Sequence, residues 1–172
     1  MAVRRSPAND QRPGNDDSKG RDQAGSSRRK ALDLLARREH STAELRDKLT
    51  AREFDPEEIE TTLADLARDG LLSDERFVEA FVAAHVRRGQ GPVRIRADLQ
   101  RKGVAAGLIA CRLTPDSHDW GELARSVRIK RFGRSQPRDF RERAKQSRFL
   151  EFRGFTMDHI RAALGAADDA HE

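Results

Sequence analysis

A single cysteine, Cys111, occurs in the whole chain. It excludes an internal disulfide and a multi-cysteine zinc site. On an expected helix, with Ile109 and Leu113 as apolar neighbours, Cys111 is read as a small buried hydrophobe. Tyrosine is missing and tryptophan occurs once, as Trp120. A lone indole can stack on a base, but at a helix start it is read as a core anchor. No apolar run reaches the roughly 18 residues that a membrane-spanning helix needs. The basic N-terminus has no apolar stretch behind it, so no secretory signal is read and the cytoplasm is the expected compartment. His40, His85, His118, His159 and His171 are scattered, and no pair has the spacing of a helical metal site. Asp116 and Asp119 flank His118, in what reads as a polar loop rather than a metal site. No alternating apolar run suggests a sheet, and no Gly-rich phosphate loop follows a strand. Neither an enzyme, a cofactor nor a metal is expected.

What the chain has is charge. Charged residues make up 37%, the net charge is +5 and the mean hydropathy is −0.83. The apolar residues nonetheless recur periodically, which argues for a folded protein. The basic balance points to a polyanion or an acidic protein surface as partner.

Residues 1–27 contain almost no large apolar side chains and cannot offset their ordering entropy. They are read as a tail, either a solvated leader or a basic arm touching a polyanion. Helical spacing begins at Arg28 with Ala31, Leu34, Leu35 and Arg38. Ser41 and Glu44 match a capping box ahead of Leu45 and Leu49. Asp55-Pro56-Glu57-Glu58 opens a third helix bearing Ile59, Leu63 and Leu66, which Gly70 stops. Ser73-Asp74-Glu75 opens a helix with Phe77, Phe81 and Val82. Gly91-Pro92 then starts a short basic helix, 92–102, in which Ile95 and Leu99 share one face. Gly103 ends it in the left-handed conformation. Leu108, Ile109 and Leu113 follow, and Thr114-Pro115 breaks the chain. In the last third, Trp120 leads a helix to Phe132. Pro137 opens a second helix that reaches Phe149, Leu150 and Phe152. Thr156 caps a third with Met157, Ile160 and Leu164 as its stripe.

These thirds repeat one another. Leu45, Leu49, Phe54, Ile59 and Leu63 stand 50 positions before Ile95, Leu99, Val104, Ile109 and Leu113. The last four recur 51 positions on as Leu150, Phe155, Ile160 and Leu164. Gln146 departs from the pattern where Leu45 and Ile95 stand. The expected fold is all-α: three tandem three-helix repeats, 28–72, 73–113 and 114–165, leaning on one another in an elongated, curved rod, with a short tail at 166–172. Charge divides unevenly. Residues 31–72 hold six basic and eleven acidic side chains, residues 73–113 eight and four, and residues 124–148 ten and two.

Several motifs carry a resemblance beyond composition. They are Arg38-Glu39-His40-Ser41 with Glu44 through Leu49, Gly70 through Phe77, Gly91 through Ile95, Lys130-Arg131-Phe132-Gly133, and Lys145 through Phe155. Together, in this order over about residues 29–165, they resemble the RecX family, bacterial regulators of the recombinase RecA. The resemblance implies three tandem three-helix repeats. It also implies binding to RecA and to RecA–single-stranded DNA filaments, and inhibition of ATPase, strand-exchange and coprotease activities, which places the protein in DNA repair, recombination and the SOS response. A free-standing nucleic-acid-binding protein and a purely structural adaptor are the alternatives. A monomer is expected, and DNA is a candidate direct partner.

Contact residues follow from charge and position, since the family has no motif that assigns them. In the middle repeat they are Arg87, Arg88, Arg94, Arg96, Arg101 and Lys102. Toward the C-terminus they are Arg128, Lys130, Arg131, Arg134, Arg141 and Lys145. Arg94 is read as a surface contact whose charge reversal leaves folding intact, and Leu99 as core.

Overall fold

The computed structural model describes residues 27–165. The expected tails lie outside these residues, apart from Ser27, whose hydroxyl is buried 2.8 Å from the Thr62 hydroxyl. The described residues form nine helices and no strand: α1 (27–35), α2 (Thr42–Thr50), α3 (Pro56–Arg68), α4 (Asp74–Arg87), α5 (Pro92–Arg101), α6 (Ala106–Arg112), α7 (Trp120–Phe132), α8 (Phe140–Phe152) and α9 (Met157–Leu164). A turn of 3₁₀-helix, Pro115–Ser117, precedes α7.

The helix boundaries follow local chemistry. Asp55 accepts from the backbone N–H groups of Glu57 and Glu58, with Pro56 at the first helical position, where no intrahelical partner is lost. Ser73, Asp119 and Asp139 cap α4, α7 and α8 in the same manner. Each set of three helices closes over its own apolar cluster. Leu45, Leu49, Ile59, Leu63 and Leu66 fill the first, Val78, Val82, Ile95, Leu99 and Ile109 the second, and Ala124, Leu150, Phe155, Ile160 and Leu164 the third. Trp120 is a core anchor as expected, and it serves the second cluster although it opens α7 of the third repeat.

The repeats are joined end to end through their middle helices. At the start of α5, Gly91 N–H donates to the Arg153 carbonyl at 2.8 Å and Val93 N–H to the Gly154 carbonyl at 3.0 Å. Carbonyls of the turn that closes α8 thus satisfy N–H groups at a helix start, and Gly91 needs no capping side chain. The negative end of α8 thereby meets the positive end of α5. The end of α5 meets the start of α2 similarly, with the Ser41 hydroxyl donating to the Lys102 carbonyl at 2.6 Å. Among the described residues, the hydrogen bonds between repeats join the first to the second and the second to the third.

This docking explains a pattern of glycines. Glu53, Gly103 and Gly154 occupy corresponding places after α2, α5 and α8, all with positive φ (62°, 71° and 89°). A Cβ at Gly103 would collide with Ala43, and one at Gly154 with Arg94. Those two turns seat on a neighbouring repeat and exclude a side chain. The turn after α2 seats on no repeat among the described residues, and there a glutamate is tolerated.

Several expectations are corrected. α8 starts at Phe140, capped by Asp139, because the chain from Gly133 to Arg138 first wraps the end of α7. The helix does reach Phe149, Leu150 and Phe152 as expected; Leu150 is fully buried, while Phe152 is 76% exposed and lies under Arg94. Met157 is exposed, and Ala163 joins Ile160 and Leu164 on the buried face of α9. Cys111 is exposed, since α6 is only two turns long and buries Ile109 and Leu113 on its other side. The Ser41–Glu44 capping box is half made. Ser41 accepts from Glu44 N–H, but the Glu44 carboxylate turns away to the repeat junction. Thr156 and His159 form the complete reciprocal box instead.

Candidate binding clefts at the repeat junctions

Between the second and third repeats lies a cleft of about 380 Å³. Arg87, Arg88 and Gly89 come from the end of α4, Ser126, Val127, Lys130 and Arg131 from α7, and Phe149 and Arg153 from the end of α8. Five cations line it and no carboxylate does. Arg87, Arg88, Lys130 and Arg131 have no carboxylate within ion-pair distance among the described residues, although this chain pairs many of its other charges. The fifth, Arg153, is fixed rather than free. Its guanidinium donates to the Arg88 carbonyl at 2.9 Å and lies 5.2 Å from the Phe149 ring centre. The walls are tied by the Arg153 bond to the Arg88 carbonyl and by the Gly91 N–H bond to the Arg153 carbonyl, and they pack closely, since a Cβ at Gly89 would lie 2.6 Å from Val127. Arg87, Arg88, Lys130 and Arg131 are exposed, and like charges gathered on one surface repel one another, a repulsion that an anion relieves.

A second cleft, about 340 Å³, occupies the same place at the junction of the first and second repeats. Align α4 with α7 on their buried residues, Val78 and Val82 with Ala124 and Arg128. The lining residues Phe77, Ala80, Phe81, Ala84 and His85 then match Leu123, Ser126, Val127, Lys130 and Arg131. Lys102 corresponds to Arg153. Arg88 lines both clefts, so they adjoin.

The junction of the first and second repeats is held by charge. Glu44 receives Arg38 at 2.7 Å and Lys102 at 3.1 Å, and Arg76 reaches Glu39 at 2.9 Å. Burial alone would raise the Glu44 pKa, but the hydrogen bonds from Arg38 and Lys102 outweigh it and hold the carboxyl at about 2. His40 is buried beside this group, 3.3 Å from Glu44. Burial, then the Arg38 charge, lowers its pKa below the ordinary histidine value.

The structure sorts the sequence candidates. It brings Arg87, Arg88, Lys130 and Arg131 into the cleft between repeats two and three. Lys102 is a junction residue. So is Arg94, which lies over the Phe152 ring at 5.5 Å, donates to the Phe152 carbonyl at 3.4 Å and has the Asp98 carboxylate 3.9 Å away; its role as a purely surface contact is therefore corrected. Arg96 donates to the Leu113 carbonyl at 3.2 Å and closes the end of α6, while Arg101 pairs with Asp98. Arg134, Arg141 and Lys145 are exposed near the start of α8, where Lys145 lines a further cleft with Arg138 and Glu142.

Arg128 is a correction. It is 1% exposed and donates to the Ser135 carbonyl at 2.9 Å, with longer bonds to the Arg134 carbonyl and Gln146 Oε1. Its aligned partner in α4 is Val82, and that of Gln146 in α5 is Ile95. An apolar pair in the second core is thus a polar pair in the third, and Arg128 serves to hold the 133–138 segment. The sequence candidates omit Arg38 and Arg153. For Arg153 the signal was present: it precedes Gly154 as Lys102 precedes Gly103.

The fold and its clefts define an all-helical protein of tandem three-helix repeats, with a cationic cleft at one repeat junction and, among the described residues, no group of side chains suited to hold a metal ion. Three family models match in order: RecX, first three-helix domain, over residues 28–66; RecX, second three-helix domain, over 73–111; and RecX, third three-helix domain, over 121–164. The chain belongs to the RecX family. It is 50% identical over 142 residues to the Regulatory protein RecX of Halorhodospira halophila, covering 83% of this chain and 88% of the relative. With that of Pseudomonas fluorescens it shares 47% over 137 residues, covering 80% and 88%. A crystal structure of regulatory protein RecX superposes with a TM-score of 0.69 at 24% identity, covering 84% of this chain and 73% of that one. A crystal structure of RecX from Lactobacillus salivarius gives 0.69 at 20% identity, covering 83% and 95%. At such identity these two structures speak to the fold.

Proposed function

We propose that this regulatory protein acts without catalysis, by binding RecA and RecA–single-stranded DNA filaments and restraining their ATPase, strand-exchange and coprotease activities. DNA repair, recombination and the SOS response are then the processes it tunes, in the cytoplasm and as a monomer. The supporting observation is the cleft between the second and third repeats. Five cations converge there with no carboxylate in the lining, on walls fixed by backbone docking. Acidic protein surface or phosphate fits that arrangement, and family membership points to the filament, which offers both. Arg134, Arg141 and Lys145 extend the basic surface along the third repeat, and Arg88 extends it toward the first.

The test is RecA-dependent ATP hydrolysis on single-stranded DNA, titrated with this protein. Hydrolysis should fall with added protein, and unchanged hydrolysis at excess protein refutes the reading. The same cleft also suits naked DNA. In that second reading binding to DNA alone is tight, its salt dependence follows roughly 0.7 log units per phosphate contact, and RecA adds no affinity.

A further inference from the structure

The two junction clefts match in position but differ in chemistry. In the cleft between repeats two and three, Ser126, Lys130 and Arg131 stand where the other has Ala80, Ala84 and His85. The cleft between repeats one and two therefore has an apolar wall of Phe77, Ala80, Phe81 and Ala84. Its rim is nearly neutralised: Arg38 and Lys102 share Glu44, Glu39 is also at the edge, and Arg88 alone has no carboxylate. We propose that this cleft is a socket for one apolar side chain of an acidic protein segment, seated while the neighbouring cleft holds the anionic part of the same target. The proposal rests on the filament reading and divides the work between the two clefts.

Three observations select this occupant. A nucleobase stacks on an aromatic face, and the two phenylalanine rings of this wall are already engaged with their neighbours. Phe81 is stacked on His85 with ring centres 3.9 Å apart, and its other neighbour is Phe77 at 5.6 Å. A phosphate would meet Glu39 at the rim, and two of the cations there already share Glu44. An apolar side chain loses nothing to either, and it covers Ala80 and Ala84, small residues that leave a recess on α4. Charge complementarity supplies the acidic flank. Arg88, shared by both clefts, is free to pair with a carboxylate beside the anchor.

The experiment compares binding of wild type, Ala80→Gln/Ala84→Gln, and Lys130→Glu/Arg131→Glu to two probes: naked poly(dT), and RecA assembled on poly(dT) with a non-hydrolysable nucleotide. Glutamine is a good helix former and carries no charge, so it fills the recess without altering the field. The alanine double variant should lose filament affinity by about tenfold or more while its poly(dT) affinity and salt slope stay at the wild-type values. The charge-reversed variant should lose both. If Ala84→Gln lowers the melting temperature, Ala80→Gln alone carries the test, because Ala80 is exposed. Wild-type filament affinity in the glutamine variant overturns the socket and leaves the filament reading standing. Equal loss on poly(dT) overturns it in favour of a base. Failure of the wild type to bind filaments overturns both.

Discussion

Arg128 and Gln146 carry the main lesson at the scale of single residues. A buried guanidinium with no carboxylate partner persists because three oxygens surround it, and one of them belongs to Gln146. Removing one partner alone strands the other. Arg128→Val or Gln146→Ile should each cost on the order of 1–3 kcal/mol. The double change restores the Val82–Ile95 pairing of the second core and should cost less than the sum, as a double-mutant cycle by urea denaturation would measure. Additive losses would mean that the two side chains do not act as a unit. Leu99 is fully buried in the second core, so Leu99→Ala should cost about 2–5 kcal/mol. The spacing of apolar residues made Leu99 readable as core. It could not distinguish Arg128 from a surface arginine, because a long cationic side chain on a basic helix looks the same in sequence whether it faces water or three carbonyls.

At the scale of elements, the end-to-end contact of α2, α5 and α8 decides how the repeats sit. Gly91 and Gly154 meet backbone to backbone, so Gly91→Ala must push α8 from α5. It should destabilise by about 1–3 kcal/mol and loosen the third repeat first, seen as faster amide exchange in α7–α9. The junction between repeats one and two depends on Glu44 and so on pH. Its carboxyl titrates at about 2 when folded against an ordinary value of 4.5. The unfolded chain therefore binds its proton first on acidification. Stability from Glu44 is complete above pH 4.5 and is lost as pH falls toward 2. His40, also lowered, acts in the same direction from its ordinary value of 6.5 downward. Glu44→Gln should flatten the fall in melting temperature over the acid range relative to wild type. A parallel fall in both proteins would assign the acid sensitivity elsewhere. Capping residues, helix order and the repeat period were all legible, since each is local or periodic. The junction was not: Ser41 and Glu44 read as a capping box, and only a neighbouring repeat reveals that Glu44 serves Arg38 and Lys102.

For the whole molecule, repetition with variation assigns the labour. Each repeat supplies an apolar cluster of the same plan, the second and third also supply a docking turn, and the walls of the two clefts then diverge from apolar to cationic. The charge excess over residues 124–148 had marked the region in sequence. It could not show that Lys130 and Arg131 face Arg87 and Arg88 across a cleft, because those pairs lie more than 40 residues apart and meet only through the stacking of repeats. Engagement of the RecA filament through this cleft is the proposed basis of regulation. Its most direct test is RecA-dependent ATP hydrolysis on single-stranded DNA, titrated with wild type and with Lys130→Glu/Arg131→Glu at matched thermal stability. Inhibition by the wild type and its loss, by about tenfold or more in the concentration required, in the reversed variant is the predicted result. Equal inhibition by both proteins would contradict it.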